Sequence, residues 1–118
     1  MTVLLFDYSR AMRMVTASVL AYHGFHVVAE AGDGNAAVEQ FKAHKPDVVL
    51  LDLVMPQMDG QQALREILDH DPGAKVVILS SLGSQAGIEE CLRIGARSYL
   101  QKPIDSAALL RVLRELAA

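Results

Sequence analysis

Five short strand-like runs alternate along this chain with five stretches whose apolar residues recur at helical spacing. That alternation restricts the fold more than any other feature of the sequence. The runs are residues 2–6 (TVLLF), 26–30 (HVVAE), 48–51 (VVLL), 75–79 (KVVIL) and 97–101 (RSYLQ). Four consecutive apolar residues at 48–51, two of them β-branched, read as a strand covered on both faces, as in parallel sheets. The run at 26–30 is polar at both ends and 97–101 alternates in polarity, which suits sheet edges. Between the runs lie five helical stretches. Ser9 caps the first, which reaches about Tyr22 with Met12, Val15, Thr16, Val19 and Leu20 inward, and Gly24 stops it. The second covers 35–44 with Ala37, Val38 and Phe41 inward. The third covers 60–70 with Leu64, Ile67 and Leu68 inward, broken by Asp71-Pro72-Gly73. The fourth covers 85–94 with Ile88, Cys91 and Leu92 inward. The fifth starts on Asp105, with Ile104 and Leu109 as a hydrophobic staple, and carries Leu109, Val112, Leu113 and Leu116. Strict strand–helix alternation with short connections means an α/β domain, a doubly wound parallel sheet with helices on both faces. Edges at the second and fifth strands predict the order 2-1-3-4-5. The chain reads as one domain over residues 1–118.

In such a sheet every strand points its carboxyl end to the same rim, and ligands bind there where the strand order reverses. The strand ends carry Asp7, Asp52, Ser80 and Lys102. Alone, an Asp after a strand is usually a helix cap or turn former, a Ser a cap and a Lys a solvated charge. Gathered on one rim, they describe a shared site. A carboxylate can attack phosphorus and form an acyl phosphate. A divalent cation held by carboxylates removes the repulsion between the two anions. An ammonium and a hydroxyl can then hold further phosphoryl oxygens. Asp52, set between the buried run and Pro56, is the expected chemical centre.

These residues sit in motifs that resemble a known family. LLFDYSRAMR, VVLLDLVMPQMDG, VVILSS and SYLQKP together are similar to the response-regulator receiver domains of two-component signalling, of the single-domain chemotaxis type, with the flavodoxin-like receiver fold. The resemblance covers essentially the whole chain. It implies that Asp52 accepts phosphate from a histidine kinase or phosphotransfer protein and that Mg²⁺ is required. Asp7, Asp52 and the backbone carbonyl of Val54 are then the metal ligands, and Lys102 faces the phosphate. Ser80 becomes the switch hydroxyl and Tyr99 an aromatic that swings inward. Lys102-Pro103 becomes a cis peptide. Output passes through the surface of the fourth helix, fifth strand and fifth helix, where Glu89, Glu90, Arg93, Leu110, Arg111 and Arg114 are expected outward. The recipient is a downstream protein or an output domain outside this sequence.

One position departs from the family. Receivers usually carry two adjacent acids after the first strand, and here the pair is Asp7-Tyr8. The acid lost is the one expected to touch the metal directly, which weakens an Mg²⁺ site. The phenol either crowds the site or points outward. Two readings therefore stand: a phosphoacceptor switch, or a pseudo-receiver that docks partners independently of phosphate.

Other classes are disfavoured. A net charge of −3, from 11 basic and 14 acidic residues, provides no basic stripe for nucleic acid. No apolar run is long enough to span a bilayer and no signal peptide is recognisable, so a cytoplasmic location is expected. A single cysteine, Cys91, permits no internal disulfide and reads as a core residue. His23, His26, His44 and His70 are too scattered for a metal site. Met55 and Met58 beside Pro56 are expected to pack over the rim. A flavin-binding enzyme would need a Gly/Ser/Thr phosphate loop where this chain has Asp7-Tyr8-Ser9-Arg10. No Walker loop or nucleophile elbow is present.

Overall fold

The computed structural model describes residues 1–53, 60–81 and 85–117. Val54, Met55, Pro56, Met58 and Asp59 therefore lie outside the described residues. The elements are β1 (Thr2–Phe6), α1 (Arg10–Tyr22), β2 (His26–Ala31), α2 (Gly34–His44), β3 (Val48–Asp52), α3 (Gly60–His70), β4 (Val76–Ser80), α4 (Gln85–Ile94), β5 (Ser98–Gln101) and α5 (Ser106–Ala117). All strand pairs are parallel and the order is β2-β1-β3-β4-β5, as the edge pattern predicts.

Strand pleat divides the core into two layers. Leu4, Phe6, Val49, Leu51, Val76 and Ile78 pack under α2, α3 and α4, against Phe41, Leu64, Ile67 and Cys91. Val3, Leu5, Val48, Leu50, Val77 and Leu79 face α1 and α5, against Leu20, Leu109 and Leu113. β3 and β4 are buried at every residue, which explains their unbroken apolar runs. Against water, each such Leu or Phe stabilises by about 1.5–3 kcal/mol. β1 slips by one residue against edge strand β2 between Val3 and Leu4.

The helix ends follow local chemistry. Ser9 Oγ accepts from the Met12 N–H at 3.3 Å and Asp105 Oδ2 from the Ala108 N–H at 3.1 Å. Gly24, just beyond α1, and Gly95, just beyond α4, sit at φ +84° and +138°, conformations open to glycine. The helix phases differ from expectation at three positions. Val15 is 58% exposed and Leu92 39%. Each sits about 100° around its helix from a buried neighbour, Thr16 or Cys91, which is enough to leave the core. Leu110, expected outward, is buried. A helix laid on a sheet covers an apolar arc at least about 100° wide, and Leu110 closes that arc opposite Val112. Glu90 is half-buried and joins α3 to α4. It bonds Arg93 at 2.6 Å and Arg65 at 3.3 Å, and the Arg93 hydrogen bond holds its carboxyl below the ordinary range.

Opposite the carboxyl rim, the Thr2 N–H donates to Asp47 Oδ2 at 2.7 Å and Lys75 Nζ to the Leu116 carbonyl at 2.8 Å. Met1, Asp47, Lys75 and Ala117 border one cavity there.

Candidate functional site

Parallel pairing brings the four strand ends together. Phe6 pairs with Leu51, so Asp7 and Asp52 emerge side by side where β1 meets β3. Ser80 closes β4 on the next strand. Lys102 follows β5, its N–H bonded to the Ser80 carbonyl at 2.6 Å, and the Lys102-Pro103 peptide is cis. From there its side chain crosses the end of β4. Nζ lies 3.0 Å from Asp52 Oδ2 and 3.1 Å from Asp7 Oδ1. Asp7 and Ser80 are essentially inaccessible and Asp52 is 5% exposed. Lys102 keeps 17% of its side chain in solvent, so the cluster opens on one side.

The main chain of the β1–α1 turn supports these carboxylates. The Ser9 N–H donates to Asp7 Oδ1 and the Tyr8 N–H to Asp52 Oδ2, both at 2.9 Å. Arg13, one turn into α1, donates through Nη1 to the Asp7 carbonyl at 2.6 Å. Its guanidinium also approaches Glu30 at 3.8 Å and lies over Gly32. The far side of β3 is shaped by Gly60. Its N–H bonds the Leu53 carbonyl at 2.8 Å, and a Cβ there would stand 2.5 Å from the Leu53 Cα and 2.6 Å from the Asp52 carbonyl. Only glycine lets α3 begin so close to the strand that carries Asp52.

The charge is unbalanced: two buried carboxylates share one ammonium. Among the described residues, Asp7 Oδ2 and Ser80 Oγ are buried without a hydrogen-bond partner. An unpartnered buried carboxylate oxygen costs free energy that a cation would recover. Mg²⁺ is commonly held by one or two carboxylates plus water and substrate oxygens, so the donors present fit it. Among the described residues no group of three His, Cys, Asp or Glu is arranged around a metal position. Val54, expected as the third ligand, lies outside the described residues. Tyr8 contributes its N–H to the site, and the residue is 57% exposed.

The comparisons bear on the family. A family model described as the response regulator receiver domain matches residues 3–114. The chain belongs to the response regulator receiver domain family. The receiver is 36% identical over 115 residues to chemotaxis protein CheY of Thermotoga maritima, covering 98% of this chain and 96% of that one. It is 37% identical over 113 residues to CheY of Bacillus subtilis, covering 96% and 94%. Among solved structures it is similar to a chain in the CheX–CheY–BeF₃–Mg²⁺ complex from Borrelia burgdorferi. That match has a TM-score of 0.94 at 33% identity and covers 99% of this receiver and 89% of that chain. The response regulator domain of Thermotoga maritima CheB matches with a TM-score of 0.92 at 34% identity, covering 100% and 97%.

The four strand-end residues named from the sequence thus share one rim, and Tyr99 stands apart on edge strand β5, 44% exposed. Sequence reasoning missed Arg13 and Gly60. Arg13 had a signal: after Arg10 it is the one charge in α1, four residues past the cap. Gly60 read only as a helix start, because the approach of α3 to β3 is a tertiary distance.

Proposed function

We propose that this receiver is a phosphoacceptor switch, with Asp52 taking a phosphoryl group from a histidine of a kinase or phosphotransfer protein. An Asp52 oxygen bonds to phosphorus as the P–N bond breaks, and the imidazole leaves with the electron pair. The observation that carries this reading is Lys102 Nζ, about 3 Å from each of two buried carboxylates. It neutralises charge on Asp52 beforehand and on a phosphoryl oxygen afterwards. The Ser80 hydroxyl, unpartnered among the described residues, is a donor suited to a second phosphoryl oxygen. Asp7, Asp52 and the Val54 carbonyl are the proposed Mg²⁺ ligands. When bound, the ion supplies Lewis-acid neutralisation of the incoming phosphoryl group. A CheY relative captured with BeF₃ and Mg²⁺ supports this assignment. Domain 1–118 acts as one unit in the cytoplasm, and among the described residues no helix is long and apolar enough to cross a membrane. Its output passes to a protein partner or an attached output domain, through the α4–β5–α5 face that includes Tyr99. Acyl phosphate chemistry also permits self-catalysed uptake from small donors and self-catalysed hydrolysis.

A second reading is favoured by Tyr8. The Asp7-Tyr8 pair leaves two carboxylates at the rim, so the chain acts as a pseudo-receiver that docks partners without phosphate. Labelled acetyl phosphate with Mg²⁺ separates the readings. The switch predicts label on the wild type and none on a folded Asp52→Asn variant. Absence of label on both supports the pseudo-receiver, and label on Asp52→Asn means another acceptor.

A further inference from the structure

The outer face of α1 lacks the charges that a solvated helix face carries. Its exposed residues after Arg10 are Ala11, Met14, Val15, Ser18, Ala21 and Tyr22. Arg13, the only other charge in the helix, is turned onto Asp7 and Glu30. Each of the other four helices shows at least one charged residue outward, such as Glu39, Arg65, Glu89 or Arg111. The large apolar side chains left exposed are also concentrated here. Tyr8, Met14, Val15 and Tyr22 are 57–85% exposed, with only Leu92 and Tyr99 elsewhere among the described residues. Ala11, Val15, Ser18 and Tyr22 follow the 4-3-4 spacing of a helix-packing seam, and Tyr8 extends it by three residues.

We infer that α1 is the seam of a two-fold homodimer, with two copies packed antiparallel about Val15. The order of side chains argues for a second copy. Read outward from Val15, the stripe is small then Tyr in both directions: Ala11 and Tyr8 one way, Ser18 and Tyr22 the other. An isologous contact requires this self-complementarity, since residue i meets j and j meets i. Antiparallel pairing about Val15 sets Tyr8 of one copy opposite Tyr22 of the other and pairs small residues between. It brings Arg10, the one exposed charge of the face, to the partner's Tyr22 ring, a cation–π arrangement. The two Arg10 side chains are then about 15 Å apart along the seam, beyond a Debye length of about 8 Å at physiological salt. A single helix seam is at the small end of specific interfaces, so the dimer is concentration-dependent rather than obligate. The Tyr8 N–H holds Asp52 Oδ2, so one end of the seam abuts the carboxylate cluster.

The test is sedimentation of the full chain from micromolar to millimolar concentration, with Val15→Arg and Val15→Cys. Val15 and its replacements are exposed, so folding is preserved and is checked by circular dichroism. The mass rises toward twice the monomer value for the wild type and stays monomeric for Val15→Arg. Helix axes about 9–10 Å apart put the facing Cα atoms about 4.4–5.4 Å apart, within disulfide reach. Oxidised Val15→Cys therefore forms a covalent dimer, whereas Arg111→Cys on α5 does not. Native Cys91 is fully buried and does not compete. A wild type monomeric throughout, a dimer indifferent to Val15→Arg, or no selective cross-link at position 15 overturns the inference.

Discussion

Replacing Lys102 with methionine keeps the apolar stem and deletes the cation that two buried carboxylates share. Asp7 Oδ1 and Asp52 Oδ2 each lie about 3 Å from Nζ, so they are no more than about 6 Å from each other. At an effective dielectric of about 20, two carboxylates at that separation repel by about 3 kcal/mol, and each is drawn to the ammonium by about 5 kcal/mol. Desolvation of the lysine offsets much of that attraction. Leaving a buried charge without its partner costs about 3–5 kcal/mol in measured cases. We expect Lys102→Met to lose about that amount in guanidinium unfolding at neutral pH with chelator present. Adding Asp7→Asn to this variant removes the repulsion and should return about 2–3 kcal/mol, a large non-additivity for one cycle. Mg²⁺ held as proposed would supply the missing charge to the folded state alone, so it should stabilise Lys102→Met more than the wild type. A loss below about 1 kcal/mol, or additive effects of the two substitutions, would refute the claim that these charges are mutually dependent.

Three further perturbations address separate links in the argument. Gly60→Ala forces a Cβ to within 2.6 Å of the Asp52 and Leu53 backbone. It should cost at least about 2 kcal/mol in denaturant unfolding, because backbone cannot yield as a side chain does. Tyr8→Asp restores an acid beside Asp7 and should tighten Mg²⁺ binding in calorimetry; unchanged affinity would place position 8 away from the ion. The Thr2 N–H bond holds the Asp47 carboxyl below its ordinary value, and the Thr2 hydroxyl adds to this. A lowered folded value means stability that is present above the unfolded value of about 4 and lost as pH falls through the folded one. The stability gap between wild type and Asp47→Asn should therefore be constant near neutrality and close below about pH 4 in thermal melts. Solvent exposure keeps that gap small.

Strand order and site were legible for one reason. Burial writes itself into unbroken apolar runs such as Val48–Leu51, edges into polar alternation such as Ser98–Gln101, and the polarity of a parallel sheet then brings all strand-end residues to one rim. Helix phase was less legible. Val15, Leu92 and Leu110 each lie about 100° from a well-determined core position, and there the sheet's curvature decides what is covered, not residue type. The supporting hydrogen bonds were not legible. The Tyr8 and Ser9 amides belong to the backbone, which reads the same at every position, and Arg13's target is a main-chain carbonyl. The identity of Tyr8 was plain, but its exposure depended on the path of the β1–α1 turn.

Met1 and Ala117 border the same cavity, beside the Thr2–Asp47 and Lys75–Leu116 contacts. A strand of five residues, about 17 Å, separates that end of the sheet from the carboxylates. A segment joined beyond Ala117 would therefore leave from the floor of the molecule, with its chemical face clear.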